Sequence, residues 1–191
     1  MSDKPSYLGL LNAIAVGERG GEQLFDTWAC ATTNDDVRAV LRTVALREGE
    51  HARSFAKRID ELGYSVLDRP DPDLPRRLEL AASTTVSDRE KFERLGFSKA
   101  PDVRDVFASF FDDTTMDIET GTLMGRYVSE ERDTGRRLRA CYAALVAAEP
   151  EPTTASRDVT TDELCARLDR IEQTLTSLAK ATAKAKKSGK K

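Results

Sequence analysis

Histidine is almost absent from this chain of 191 residues, which contains one, and cysteines and aromatic residues are scarce as well. The three scattered cysteines form neither a disulfide framework nor the paired spacing of a zinc site. No apolar run approaches the ~20 residues that a membrane-spanning helix needs, and the amino terminus lacks the apolar stretch of a secretory signal. These absences exclude a disulfide-rich secreted protein, and they predict a cytoplasmic location without a membrane partner.

Charged residues, by contrast, make up 33% of the chain, a composition that favours long helices with charged surfaces over a β-sandwich. Six lysines and no acidic residue occur in Lys180–Lys191. The remaining residues therefore carry a net charge of −9, although the whole chain carries −3. An acidic body with a basic tail predicts contact with a polyanion such as nucleic acid, and the alternative role of such a tail is solubility alone.

The spacing of apolar residues predicts an all-α fold with a long helical hairpin at its start. Residues 5–32 and 35–63 each repeat apolar side chains at helical spacing, and the short polar connection between them predicts antiparallel packing. Residues 65–76 contain three prolines and are expected to form an irregular crossover. The other expected helices begin within residues 78–82, at the capping box of residues 87–90 and at Pro101, and the last core helix spans residues 118–148.

The carboxyl-terminal quarter of the chain differs in composition from this core domain of residues 1–148. Residues 149–160 form a polar linker, residues 161–180 an amphipathic, coiled-coil-like helix, and residues 181–191 a disordered lysine-rich tail. Leucine and isoleucine recur in the helix at alternating spacings of about four and three, which is a seam of two heptads. The seam predicts a homo-oligomer, with packing of this helix onto the core domain as the alternative.

Each of the three long helices carries one glutamate in a line that is otherwise apolar. Glu18 lies seven residues from Leu11 and Phe25, Glu48 from Leu41 and Phe55, and Glu131 from Met124 and Leu138. A buried, unpaired carboxylate is costly, so each one must be protonated, paired or bound to a cation. Three such carboxylates near one another would repel, which points to a positive charge between them.

The single histidine strengthens this interpretation. His51 follows Glu48 by three residues, so both side chains leave the same face of the helix and can reach one ion. Glu18 and Glu48 lie at similar distances from the turn of the hairpin and are expected to meet at one height. A glutamate on one helix and a Glu-x-x-His motif on its neighbour form half of a carboxylate-bridged site for two metal ions.

The segments VGERGGEQLF and LREGEHARSF resemble the first half of ferritin-like proteins of the rubrerythrin and bacterioferritin kind. The resemblance covers residues 5–64 and, more loosely, residues 102–148. It implies an antiparallel four-helix bundle that binds two iron ions, or manganese, and reacts them with dioxygen or peroxide. It also implies that Glu18 is a ligand, Glu48 the bridging carboxylate and His51 the imidazole ligand.

The expected activity is iron oxidation and handling, or scavenging of oxygen or peroxide, by a ferroxidase-like or peroxidase-like oxidoreductase. The second half departs from the family pattern, since Glu131 is followed by Thr134 where a symmetric site has a histidine. Three acidic residues are open as the ligand from the third helix: Asp88, Glu90 and Asp113. The alternative function is a non-catalytic helical scaffold with a relic metal site and an anionic partner at its tail.

Several of these residues also have purely structural interpretations. The buried glutamates could pair with three nearby arginines: Arg19, Arg47 and Arg126. Tyr127 is expected to pack in the core, with a role beside the metal as the alternative. Cys141 is expected to be a small core residue, and the cluster Phe107, Phe110 and Phe111 is expected to be core or to line a substrate pocket.

Overall fold

The computed structural model describes residues 4–69, 71–99 and 111–148. Within these ranges the chain forms α-helices and no strand, which confirms the predicted all-α class. The helices are α1 (Leu8–Ala31), α2 (Asp35–Glu61), α3 (Leu74–Ala82), α4 (Asp88–Arg94) and α5 (Ile118–Ala148). None of the described helices is both long enough and apolar enough to cross a membrane.

The hairpin of α1 and α2 makes the most extensive helix–helix contact of the described chain. Asn34 caps the start of α2, because its side-chain oxygen accepts hydrogen bonds from the backbone N–H groups of Asp36 and Val37 at 3.0 and 3.1 Å. His51 of α2 contacts Glu18, whereas Glu48, which precedes His51, lies against Gly21, which follows Glu18. The two helices therefore run antiparallel, as the pattern predicts.

Glycine ends two of the helices. Gly63 follows α2 with a φ of 81°, a left-handed conformation that favours glycine, and the Tyr64 N–H returns to the Ile59 carbonyl at 3.1 Å. Gly96 follows α4 with a φ of 84°. The stop at Gly63 agrees with the predicted end of the second helix.

The third helix begins earlier than predicted. We expected a helix to start within residues 78–82, after a proline-containing crossover, but α3 starts at Leu74. Pro75 occupies the first turn of α3, where a missing N–H breaks no intrahelical hydrogen bond. The proline that suggested irregular structure therefore starts the helix.

The last long helix, α5, packs against α2 and α4. The Arg58 guanidinium donates to Thr120, and the Arg47 guanidinium donates to Thr134. Lower residue numbers on α2 thus contact higher residue numbers on α5. Helix α5 is consequently antiparallel to α2. The expected helix from Pro101, with Phe107 and Phe110, and everything predicted for residues 149–191 lie outside the described residues.

Two apolar clusters fill the core, one toward each end of the hairpin. The first contains Leu24, Phe25 and Trp28 of α1 with residues of α2, α3, α4 and α5. The second contains Leu11 and Ile14 of α1 with residues of α2 and α5. Along each long helix the glutamate of the heptad line falls between these clusters. The fold thus places a polar layer in the middle of an apolar core.

Candidate metal centre

The polar layer is built from the same side chains that interrupt the apolar lines. Glu18 and Glu48 retain 7% exposure and His51 retains 3%, so charged or polar groups replace core residues at these positions. Their apolar neighbours in the heptad lines, from Leu11 to Leu138, are buried as predicted. The carboxylates therefore face the interior because they share a helix face with the buried apolar residues.

Three side chains from three helices converge in this layer. One ligand atom from each of Glu18, His51 and Glu131 lies within 4.8 Å of the other two. His51 Nδ1 is 3.1 Å from Glu18 Oε2 and 3.6 Å from Glu131 Oε1. These separations are those of groups that could face a single cation.

One oxygen of this group lacks a hydrogen-bond partner. Glu131 Oε1 is buried and has no hydrogen-bond partner in the described part of the chain. An unsatisfied buried carboxylate oxygen is unusual in a folded protein, because desolvation removes the water that would otherwise bind it. A cation between Glu131, Glu18 and His51 would satisfy it, so the residues present fit a metal ion.

Glu48 lies beside this group, next to Glu18. Burial, followed by the negative charges of Glu18 and Glu131, raises the pKa of Glu48 to about 10. A hydrogen bond with Glu18 adds to the increase. Without a cation, Glu48 therefore holds a proton at neutral pH and shares it with Glu18.

The other two ionisable groups respond to the same environment. Burial and the charge of Glu18 raise the pKa of Glu131 to about 7. Burial lowers the pKa of His51, but hydrogen bonds to Glu18 and Glu130 outweigh it, so the net shift is upward. Protons on these groups supply the positive charge that a metal ion would supply on binding.

Glu130 orients the imidazole and was not predicted from the sequence. Its Oε2 lies 2.7 Å from His51 Nε2, and its Oε1 accepts from Arg126 Nε at 2.9 Å. Burial raises the pKa of Glu130, but the hydrogen bonds from Arg126 and His51 lower it more. A proton on Nε2 donated to Glu130 leaves Nδ1, the nitrogen that faces Glu18 and Glu131, available as a ligand.

Tyr127 packs in the core and also contacts the site. Its hydroxyl donates to Glu18 Oε1 at 2.9 Å, and its ring lies 5.0 Å from that of His51, edge to face. Burial and the charges of Glu18 and Glu131 raise the pKa of the phenol, which keeps it a donor. Tyr127 is therefore a core residue, as expected, that also contacts two of the candidate ligands.

The arginines proposed as structural partners bind other groups. Arg19 pairs with Asp68 at 2.7 Å, and Arg47 pairs with Asp133 and donates to Thr134. Arg126 pairs with Glu130 and Glu50. The charge of Arg47 lowers the pKa values of Glu48 and Glu131, although burial dominates in both. A direct glutamate–arginine network therefore does not account for the buried carboxylates.

The three acidic residues considered as ligands from the third helix lie elsewhere. Asp88 accepts from Trp28 Nε1 at 2.7 Å and from Thr32 Oγ1. Glu90 pairs with Arg94, and Asp113 accepts from Ser6 and Thr115. Each has a structural role at a helix end or a turn, and none of them joins the cluster.

Comparison with models of protein families gave no match, and comparisons with curated proteins and with solved structures gave none either. The geometry of the site is consequently the basis for assigning a function to this chain.

Proposed function

We propose that this chain is a ferritin-like metal-binding protein whose centre is held by Glu18, His51 and Glu131, with Glu48 as a further carboxylate ligand. The observation that carries the proposal is the convergence of ligand atoms from three helices around Glu131 Oε1, a buried oxygen without a hydrogen-bond partner among the described residues. The proposal includes two further parts: that the chain folds as a four-helix bundle, and that it is related to rubrerythrin and bacterioferritin.

The donor set favours iron, with manganese as the related candidate. Carboxylate oxygens with one imidazole suit these metals, whereas zinc and copper sites contain more nitrogen or sulfur ligands. Bound iron would supply the electrons for reducing dioxygen or peroxide, which makes iron oxidation or scavenging of these oxidants the proposed activity. Glu48, beside Glu18, is the carboxylate available to bridge toward a second ion.

The protein residues around the metal have defined tasks in this proposal. Glu130 fixes the imidazole so that Nδ1 faces the ion. Tyr127 holds one Glu18 oxygen and leaves the other directed at His51. Metal binding must displace the protons of Glu48 and Glu131, so the affinity for metal should increase with pH.

Anaerobic titration with Fe(II), followed by admission of air, tests the proposal. We expect Fe(II) to bind stoichiometrically and a ferric absorption band to appear in air. The Glu18→Ala variant should lose both signals, whereas Glu50→Ala should keep them because Glu50 is an exposed residue on α2 that contacts Arg126. Absence of stoichiometric binding in the unmodified chain, or full activity of Glu18→Ala, would overturn the proposal.

The second candidate is a non-catalytic scaffold with a relic site. It is favoured by one observation, namely that Asp88, Glu90 and Asp113 all have partners away from the cluster. In this second function the chain would assemble through residues 161–180 and attract a polyanion through Lys180–Lys191. It predicts that Glu18→Ala and His51→Ala leave metal content and partner binding unchanged, and that deletion of residues 160–191 lowers the oligomer mass.

A further inference from the structure

A cavity of about 1140 Å³ lies against the carboxylate cluster. Its lining includes one face of α1, several residues of the crossover between Tyr64 and Arg69, the start of α3 and part of α5. Glu48 and Glu131 belong to this lining, so the proposed metal centre borders the cavity. Sites for organic ligands usually measure roughly 300–1,000 Å³, and dioxygen or a single ion needs far less room.

The side of the cavity formed by α1 is lined by small residues, whose side chains take up little of its volume. Gly9, Gly17 and Gly20 face the cavity together with Ala13. A methyl group added at Gly9 or Gly17 would meet no other atom within 4 Å, and one added at Gly20 would meet Leu74 at 3.6 Å. The space beside α1 is therefore open enough for a molecule to lie along the helix.

The remaining wall is predominantly apolar. It includes Phe25, Ile59, Leu74, Phe97 and Leu138, which come from five different parts of the chain. A ligand that fills this volume gains most from an apolar body, because burial of apolar surface contributes in proportion to its area.

Charge differs between the inner and outer parts of the cavity. The carboxyl groups of Glu48 and Glu131 line the part of the cavity next to the proposed metal centre. The other charged lining residues are four basic and two acidic ones. Arg19 pairs with Asp68 and Arg77 with Asp71, which leaves the exposed Lys4 and Arg69 without an ion pair among the described residues. An anionic group therefore finds no cationic lining residue beside Glu48 and Glu131, whereas Lys4 and Arg69 attract it to the opening.

The geometry points to a binding site for an elongated, mainly apolar monocarboxylate, with its carboxylate at Lys4 and Arg69 and its apolar end at Glu48 and Glu131. The proposal that this molecule binds depends only on the cavity and its lining. The role of this molecule as substrate of the centre rests on the proposed function.

Calorimetric titration of the full, metal-free chain with dodecanoate tests the site, at concentrations below micelle formation. Dodecan-1-ol and dodecyltrimethylammonium are the matched neutral and cationic probes. We expect dodecanoate to bind about tenfold more tightly than the alcohol, and the cation to bind weakest. No binding of dodecanoate, or binding of the cation at equal affinity, would overturn the proposal.

Two sets of variants locate the ligand. Gly17→Phe should weaken dodecanoate binding about tenfold or more by filling the cavity. Gly125→Phe is its control, since Gly125 is a helical glycine with open space outside the cavity lining. The double variant Lys4→Gln, Arg69→Gln should weaken binding of dodecanoate and leave that of dodecan-1-ol unchanged. Circular dichroism verifies folding, and unchanged dodecanoate affinity in both the cavity and the charge variants would contradict the assignment.

Orientation is tested with Mn²⁺ as a paramagnetic probe in proton NMR. The terminal methyl signal of dodecanoate should broaden more than the signal of the methylene next to its carboxylate, and the reverse order would overturn the proposed orientation. If Mn²⁺ does not bind, the metal centre fails while the titration still decides the existence of the ligand site. The two proposals can therefore fail separately.

Discussion

At the scale of single residues, His51 is held through both ring nitrogens. Nδ1 lies 3.1 Å from Glu18 Oε2, and Nε2 lies 2.7 Å from Glu130 Oε2. The second contact is the more informative one, because a hydrogen bond at one nitrogen selects which nitrogen remains free for a metal. Arg126 binds the other oxygen of Glu130 and fixes that carboxylate in turn.

Replacing Glu130 should therefore weaken metal binding although Glu130 is not a proposed ligand. We expect Glu130→Ala to lower the affinity for Co²⁺ roughly 10–100-fold, the usual effect of losing a partner behind a metal-bound histidine. Competition titration measures this change, and nitrogen NMR of the single histidine reports its tautomer. Glu50→Ala, which removes the other partner of Arg126, is the control. Equal affinities of the two variants would contradict the orienting role.

The protonation of Glu48 and Glu131 links stability to pH in the metal-free protein. Their pKa values of about 10 and about 7 exceed the ordinary value of 4.5. The folded chain therefore holds more protons than the unfolded chain from pH 4.5 up to about 7 at Glu131 and up to about 10 at Glu48. Their contribution to the free energy of unfolding is complete below pH 4.5. It decreases as the pH rises, through about 7 for Glu131 and about 10 for Glu48.

The Glu48→Gln variant should remove the larger of these two contributions. At a pH of about 8 we expect the metal-free variant to be more stable than the unmodified chain by roughly 1–3 kcal/mol, because an amide needs no proton to be buried. Urea unfolding with a chelator present, at acidic and at alkaline pH, measures the difference. The stability gap should narrow at the acidic pH. A gap independent of pH, or one that Glu50→Gln reproduces, would refute the assignment.

The residues of the site were predicted unevenly, for a physical reason. Glu18, Glu48 and Glu131 break apolar lines with a period of seven, and such a period predicts which side of a helix faces the core. Glu130 lies one residue away from such a line and contacts His51 only because of the way α2 and α5 pack. Contacts between helices leave no periodic signal within one helix, so Glu130 could not be predicted.

At the scale of elements, close packing of α1 and α2 depends on glycine at the height of the cluster. A Cβ atom added at Gly21 would lie 2.4 Å from Glu48 Oε2 and 3.2 Å from its carboxyl carbon. The glycine on α1 thus forms the space in which the Glu48 carboxylate lies. The same helix surface could not carry a larger side chain without moving that carboxylate.

Gly21→Ala should consequently weaken metal binding while it leaves the helices intact. We expect the affinity for Co²⁺ to fall by about tenfold, since the carboxylate must shift from its position. Gly125→Ala is the control, because a Cβ there meets nothing within 4 Å and a helical alanine is more stable than glycine by up to about 1 kcal/mol. Titration and thermal unfolding of both variants measure the effects. Unchanged metal affinity in Gly21→Ala would show that Glu48 is not a ligand.

The long elements were predicted well and the short ones less so. The regular apolar repeats of α1, α2 and α5 extend over many turns, so each helix is specified by several independent residues. Helix α3 is a short element of nine residues, and Pro75 was interpreted as part of a crossover when it starts the helix. A proline can indicate either irregular structure or the first turn of a helix, and only the packing of α3 against α1 decides which of the two forms here.

At the scale of the whole molecule, the polar layer separates two apolar clusters and connects three helices. Glu18, His51 and Glu131 come from α1, α2 and α5, so an ion bound there would link the hairpin to the last helix. A ligand that binds only the folded chain stabilises it by mass action. Stability therefore reports occupancy of the centre without an assumption about catalysis.

Thermal unfolding in the presence of Mn²⁺ should reveal this link. At a metal concentration of about 100 times the dissociation constant, the folded state should gain about 2.7 kcal/mol. The unfolding midpoint of the unmodified chain should rise accordingly, and that of His51→Ala should rise far less. An equal rise in both proteins would mean that the metal binds elsewhere on this acidic chain.

Metal content is the most direct test of a centre built on Glu18, His51 and Glu131. The chain and its His51→Ala variant are loaded anaerobically with Fe(II), desalted and subjected to elemental analysis. For a centre at these residues we predict at least one iron per chain in the unmodified protein and a large loss of iron in His51→Ala, with Glu50→Ala unaffected. Iron-free unmodified protein, or the same iron content in His51→Ala, would contradict it.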